Sequence, residues 1–149
     1  MERVNLGKAA PALYQGVMEL ERLVSAALAD AGIALGFAHL LRLRASQLNQ
    51  CAFCMRLHAR DALTSGESAD RIAVLPGWRE TAYFDATERA GLALMEAITL
   101  VSVGQVEDAV YAQAAAVLSP AQMAAIEWLA VVINSWNRIA IASRYPVAP

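Results

Sequence analysis

Apolar residues recur at helical spacing along almost the whole chain, and no long segment alternates apolar and polar residues as a β-strand would. The clearest stripe is Leu13, Val17, Leu20, Val24 and Leu28. Helices are expected at residues 11–31, 35–48, 51–66, 68–75, 85–100, 106–118 and 120–143. This pattern predicts an all-α bundle of about six to seven helices.

Two of these helices begin with a capping box, in which an N-cap side chain and a side chain three residues later bond each other's backbone N–H groups. Asp85 and Glu88 form the first pair, and Ser119 and Gln122 form the second. Pro120 occupies the first helical position after Ser119, where its missing N–H costs nothing. Both helix starts are therefore well defined by the sequence.

The last predicted helix is apolar on more than one face, which is unusual for a helix with one side in water. Ile126, Leu129 and Ile133 share one face, and Trp128, Val131, Val132 and Ile139 lie on another. The chain as a whole is 58% hydrophobic and only 17% charged. These features place the helix at the centre of the fold or in a subunit interface, and they predict a homo-oligomer.

Length and charge limit the class of protein. A chain of 149 residues is expected to form one domain, residues 1–149, with a sizeable core. A net charge of −2 disfavours nucleic acid as a partner. Arg42, Arg44, Arg56 and Arg60 are predicted to share a solvated or interface face. Neither a secretory signal nor a membrane span is recognised, so a cytoplasmic location without membrane contact is expected.

Both cysteines and one of the two histidines lie within eight residues, as Cys51, Cys54 and His58. A Cys-x-x-Cys pair without an export signal indicates a redox-active dithiol. On a helix, Cys54 and His58 are neighbours on one face, and a thiol beside a base is an activated nucleophile. The helix N-terminus is expected to make both sulfurs more acidic, and Cys54 is the favoured attacking sulfur.

Other interpretations of the same residues remain open. Cys51, Cys54, His58 and His39 are a complete donor set for a Cys2His2 metal site. The cysteines also suit a role as small buried apolar residues. Glu80 is a candidate for a carboxylate that folds back on the site.

Residues on both sides of the cysteines extend the motif over most of the chain. They are Arg42, Arg44, Ser46, Gln47 and Asn49 upstream, and Gly66, Glu67, Trp78, Arg79, Glu80, Thr81, Phe84, Glu88, Arg89, Ala90, Asn134, Trp136, Asn137 and Arg138 downstream. With this pattern the chain resembles the alkylhydroperoxidase D-like family of the carboxymuconolactone decarboxylase superfamily, from about Leu35 to Arg144.

The resemblance implies an all-helical bundle assembled as trimers or hexamers. It also implies reduction of hydroperoxides by thiols, without haem, flavin or metal, and with an external dithiol or thiol protein as reductant. The family's peroxidatic cysteine corresponds to Cys54, its resolving cysteine to Cys51 and its relay histidine to His58. His39 stands where the family commonly has a glutamate, and Gln50 where it often has a glycine.

The exchange of a glutamate for His39 suggests an electrostatic hypothesis. A protonated His39 about 5 Å from the sulfur, at an effective dielectric near 20, would favour the Cys54 thiolate by roughly 3 kcal/mol. Alternatives to a peroxidase are a thiol–disulfide oxidoreductase, a lactone decarboxylase and a non-catalytic oligomeric binding or scaffold protein.

Overall fold

The computed structural model describes residues 1–149, and all of its regular elements are helical. The α-helices are α1 (Leu6–Ala9), α2 (Pro11–Asp30), α3 (Leu35–Leu48), α4 (Ala52–Thr64), α5 (Ala69–Val74), α6 (Ala86–Thr99), α7 (Val101–Gly104), α8 (Asp108–Ala115) and α9 (Pro120–Ala142), and a 3-10 helix spans Leu75–Glu80. The predicted all-α class is confirmed. The four-residue helices α1 and α7 were not predicted, because one turn is too short to show an apolar period.

Local signals define the helix ends as expected. Asp85 and Glu88 form a complete capping box at α6, and Ser119 and Gln122 form one at α9. Helix α2 ends before Gly32, whose φ of +75° is a left-handed conformation that favours glycine. The Ile33 N–H then donates to the Leu28 carbonyl at 2.9 Å, which closes a Schellman turn.

Helix α3 is the central element of the bundle and packs against α4, α6 and α9. Its Leu40 and Leu41 are fully buried, as are Leu92 of α6 and Leu129 of α9. Burial of each such side chain contributes about 1.5–3 kcal/mol to folding. The polar residues that α3 carries toward α2 and α4 are therefore held on a rigid support.

Helix α9 is buried on one face and partly exposed on another. Ile126, Ile133 and Val132 have no exposed surface, whereas Trp128 is 54% and Val131 46% exposed. The sequence had placed Val132 on the second apolar face, yet it belongs to the core. No helix combines the length and apolarity that crossing a membrane requires.

The predicted arginine face is wrong for two of its four members. Arg42 is only 3% exposed, and Arg44 is half-buried with its Nε 2.6 Å from Glu96 Oε1. Arg60 is exposed and Arg56 half-buried. Carboxylates on other helices pair with Arg42 and Arg44, which the sequence pattern did not show.

Candidate active site

The dithiol lies at the turn from α3 into α4. Gln50 adopts a left-handed φ of +56°, and the Cys51 N–H donates to the Ser46 carbonyl at 3.0 Å. Cys51 is the N-cap of α4, so Cys54 falls in its first turn. Both are free cysteines, 1% and 3% exposed, with their Sγ atoms 2.6 Å apart.

Burial governs the acidity of Cys54. It raises the pKa of this thiol to about 12, and the hydrogen bond and charge of Cys51 act in the same direction. A hydrogen bond from Asn137 lowers the pKa by less. The expectation of a more acidic sulfur is therefore wrong for Cys54, because loss of water outweighs the favourable end of the helix.

A buried polar network from α3 and α9 lies beside the dithiol. Asn137, which has no exposed surface, donates from Nδ2 to Ser46 Oγ at 3.0 Å. Asn49 Nδ2 donates to the Oδ1 atoms of Asn137 at 2.8 Å and Asn134 at 3.0 Å. Asn134 and Asn137 interrupt an apolar helix and therefore need hydrogen-bond partners, which they find close to the cysteines.

His39 of α3 and His58 of α4 face each other across the two helices. Their rings stack with centroids 5.9 Å apart and planes 26° apart. Asp61, one turn after His58, places Oδ2 3.5 Å from His58 Nδ1 and 3.8 Å from His39 Nδ1. Asp61 was not among the predicted site residues, although its three-residue spacing from His58 on one helix places the two side chains side by side. Glu80 is exposed and lies outside this group.

Both imidazoles are harder to protonate than a free histidine, because burial lowers the pKa of each. Burial lowers the pKa of His58 to about 3, with further contributions from Arg42 and His39. Burial and then Arg42 also lower the pKa of His39, against the opposing charges of Asp61 and Glu21. The lowered pKa of His39 and the raised pKa of Cys54 both run against the hypothesis of a cationic His39 that stabilises a Cys54 thiolate.

Arg42 is the buried cation of the site. Its Nη2 lies 2.6 Å from Glu21 Oε1 and 3.0 Å from Ser25 Oγ, both on α2. Trp136 Nε1 donates to the second oxygen of Glu21 at 3.1 Å. Helices α2, α3 and α9 are thus linked by polar contacts beside the histidines.

A cavity of about 460 Å³ collects these groups. His39, Arg42, Cys54, His58 and Asp61 line it, whereas Cys51 lies behind Cys54 and does not. Its apolar walls include Tyr14, Met18, Leu35, Phe53, Leu57 and Trp136. A larger depression of about 820 Å³, between residues 1–9 and 143–146, contains none of the predicted site residues.

Three of the four predicted site residues therefore meet in one cavity, and the fourth supports Cys54 from behind. The metal-ligating atoms that cluster are those of His39, His58 and Asp61, all within 4.8 Å of one another. The cysteines are outside this cluster, so the Cys2His2 donor set is not the one that the fold assembles.

Comparison with known proteins agrees with this architecture. Residues 11–97 match the model of the carboxymuconolactone decarboxylase family. The uncharacterized protein YdfG of Bacillus subtilis is 33% identical over 141 residues, which cover 95% of this chain and 93% of that protein. A similar crystal structure is that of ATU0492 from Agrobacterium tumefaciens, a protein of unknown function suggested to be an antioxidant defence protein AhpD. It superimposes with a TM-score of 0.89 at 33% sequence identity, and the match covers 99% of this chain and all of that one. The chain therefore belongs to the carboxymuconolactone decarboxylase family, within its alkylhydroperoxidase D-like group.

Proposed function

We propose that this protein is a thiol-dependent peroxidase that reduces organic hydroperoxides through Cys54 and Cys51. One observation carries the proposal. The two free sulfurs lie 2.6 Å apart, and Cys54 opens onto a cavity that also holds His58. A peroxide in the cavity reaches Cys54 first, with Cys51 already positioned to resolve the product.

In the first step, the Cys54 sulfur attacks the terminal oxygen of the hydroperoxide. The S–O bond forms as the O–O bond breaks, so sulfur loses two electrons and the leaving oxygen departs as an alcohol. Because the pKa of about 12 keeps the resting thiol protonated, its proton must leave during the attack. His58, one helical turn away and lining the same cavity, relays this proton to the leaving oxygen as the O–O bond breaks; it does not hold the proton as a cation, because burial lowers its pKa to about 3.

In the second step, Cys51 attacks the sulfenic acid of Cys54. An S–S bond forms, the S–O bond breaks, and the hydroxyl leaves as water with the Cys51 proton. An external dithiol or thiol protein then returns the disulfide to two thiols. The apolar walls of the cavity favour a hydroperoxide with an apolar body over hydrogen peroxide itself.

Intact mass and free-thiol counts before and after one equivalent of cumene hydroperoxide test this sequence. Wild type is expected to lose both thiols and about 2 Da, while Cys51→Ser retains a trappable sulfenic acid on Cys54. Cys54→Ser is expected not to react. If both wild-type thiols survive the oxidant, the peroxidase proposal fails, and a scaffold or thiol-exchange protein on the same fold takes its place.

His58→Gln separates catalysis from simple thiol oxidation. Loss of a general base typically slows the chemical step by about 10²–10⁴-fold. The variant should therefore react slowly with the hydroperoxide while still forming the disulfide with a strong disulfide-exchange reagent. Equal rates in wild type and His58→Gln would remove His58 from the mechanism.

We also propose that the protein assembles as a homo-oligomer, a trimer or hexamer. Trp128 and Val131 on α9 support this proposal, since each leaves about half of its side chain exposed in the single chain. Aromatic residues of this kind are enriched in subunit interfaces.

A further inference from the structure

We propose that His39, His58 and Asp61 form a binding site for one divalent transition-metal ion, with Zn²⁺ as the reference ion. The site lies in the cavity beside Cys54 and needs neither cysteine as a ligand. It shares His58 with the proposed peroxidase, so a bound ion and a proton relay through His58 would exclude each other.

The separations between the ligand atoms suit such an ion. Zinc binds imidazole nitrogen and carboxylate oxygen at about 2.0–2.2 Å, so two ligands at the tetrahedral angle lie about 3.4 Å apart. Asp61 Oδ2 is 3.5 Å from His58 Nδ1 and 3.8 Å from His39 Nδ1. All the ligand atoms lie within 4.8 Å of one another, so a small rotation of one ring completes the set.

The two histidines also lack any other partner on this side. Nδ1 of His39 and Nδ1 of His58 are both buried without a hydrogen bond. Their separations from Asp61 Oδ2 are too long for hydrogen bonds, yet both nitrogens are near the same anionic oxygen. A cation between the three atoms would give each nitrogen a partner and neutralise the carboxylate.

The surrounding charges permit a cation. Arg42 is the positive group in this part of the cavity, and its guanidinium is paired with Glu21 at 2.6 Å. Asp61 therefore remains as a negative charge that no arginine or lysine pairs with. The Asp61 carboxylate thus favours an ion of charge +2, and the charge of Arg42, which Glu21 offsets in part, opposes it.

The donor set identifies the class of metal. Two imidazoles and one carboxylate suit Zn²⁺, Co²⁺ and Fe²⁺, whereas Mg²⁺ and Ca²⁺ prefer oxygen ligands. Three protein ligands leave a coordination position free for water or a small molecule. His39, His58 and Asp61 all line the cavity that Cys54 also lines, so a ligand bound to the ion could approach Cys54.

Metal titration of the Cys51→Ser/Cys54→Ser double variant tests the proposal without any thiol chemistry. Calorimetry with ZnCl₂ should show one equivalent bound, and Co²⁺ should give the visible absorption of a four- or five-coordinate site. Asp61→Asn and His39→Gln should each weaken binding by more than about 100-fold. Loss of a residue that only hydrogen-bonds a metal ligand already costs about 10–100-fold, and loss of the ligand itself should cost more. Asp70→Asn, which changes an exposed carboxylate elsewhere, is the matched control.

Thermal unfolding without metal checks that each variant is folded. Added Zn²⁺ should then raise the melting temperature of the double variant, but not that of the double variant that also carries Asp61→Asn. Binding that is absent from the double variant, or equal in Asp61→Asn and Asp70→Asn, would overturn the proposal. Zinc that binds only when the cysteines are present would instead establish a thiolate site. Because both proposals use His58, peroxidase activity is measured in metal-free wild type and metal binding in the double variant, so either proposal can fail without the other.

Discussion

Arg42 Nη2 and Glu21 Oε1 lie 2.6 Å apart and join α3 to α2 beside the cavity. The Arg42 side chain is 4% exposed and the Glu21 side chain 27% exposed, so the cation depends on this carboxylate for most of its compensation. After burial, which is the largest cause, the charge of Arg42 further lowers the pKa of both histidines. The pair is therefore a structural link and an electrostatic component of the site.

Glu21→Ala should destabilise the protein by about 2 kcal/mol, because it leaves a buried guanidinium without its partner. The loss is smaller than the 3–5 kcal/mol of fully buried pairs, since Glu21 retains some contact with water. Glu19→Ala is the matched control: Glu19 is on the same helix and pairs with Arg22 at 2.7 Å, but both side chains are exposed. Urea unfolding of the two variants measures the difference, and equal midpoints would contradict the structural role of Glu21.

Glu96 gives a pH dependence of stability. Burial alone raises its pKa, but hydrogen bonds from Trp78, Arg44 and Arg79 together lower it below the ordinary value of 4.5. A carboxylate with a lowered folded-state pKa stabilises the fold above its ordinary pKa, and this stability is lost as pH falls through the folded-state value.

The free energy of unfolding should therefore drop below about pH 5 in wild type, and Glu96→Gln should show a smaller drop at lower overall stability. Chemical unfolding from pH 7 to pH 3 measures both curves. Exposed Glu107→Gln serves as the control and should follow wild type. Parallel curves for wild type and Glu96→Gln would show that this carboxylate is not linked to folding.

Cys54 should react slowly with alkylating reagents at neutral pH, because burial raises the pKa of its thiol. In Cys51→Ser, which keeps burial as the main cause of the raised pKa, alkylation by iodoacetamide should keep accelerating up to at least about pH 10. When the same variant is unfolded in urea, its alkylation rate should level off just above pH 9.0, the ordinary pKa of the thiol. A shift from 9.0 to about 12 corresponds to about a thousandfold less thiolate at pH 8. A folded-state plateau near neutral pH would instead reveal an acidic thiolate.

The sequence predicted those features of the fold that depend on short-range signals. Helix α3 has the predicted bounds of 35 and 48, and the capping boxes at Asp85 and Ser119 are present. Each of these follows from periodicity or from a side chain bonding its own backbone within one turn. The spacing of Cys54 and His58 on one helix likewise placed both in the same cavity.

Features that depend on packing between helices were not predictable from the pattern. His39 and Asp61 are 22 positions apart in the chain and meet only because α3 lies against α4. The burial of Arg42, which reversed the expected exposure of the arginines, requires Glu21 on α2. The raised pKa of Cys54 has the same origin, because desolvation depends on what covers the sulfur.

Gln50→Gly should stabilise the protein. Gln50 follows α3 with a φ of +56°, a conformation that costs a non-glycine residue roughly 1 kcal/mol or more. The Cys51 N–H to Ser46 carbonyl bond identifies this turn as a Schellman motif, in which glycine is preferred at that position. Net stabilisation should be about 0.5–1 kcal/mol after the greater unfolded-state freedom of glycine is subtracted.

Gln113→Gly is the control, because Gln113 is an exposed glutamine within the helix α8. Glycine there should lower the free energy of unfolding by up to about 1 kcal/mol. Thermal or urea unfolding compares the two substitutions directly. Destabilisation by Gln50→Gly as well would mean that the glutamine side chain contributes more than its backbone conformation costs.

Trp128→Glu should dissociate the proposed oligomer. Trp128 is 54% exposed in the single chain, and Val131 beside it is 46% exposed. If α9 packs against another copy at this face, a carboxylate at position 128 would be buried there without a partner. The smaller species should remain helical, because neither residue belongs to the buried core. Light scattering after size exclusion gives the mass, and Ala29→Glu on the exposed side of α2 adds the same charge as a control. An assembly that survives Trp128→Glu with unchanged mass would exclude this face of α9 as the interface, whereas a wild-type mass of about 16.0 kDa would exclude the oligomer itself.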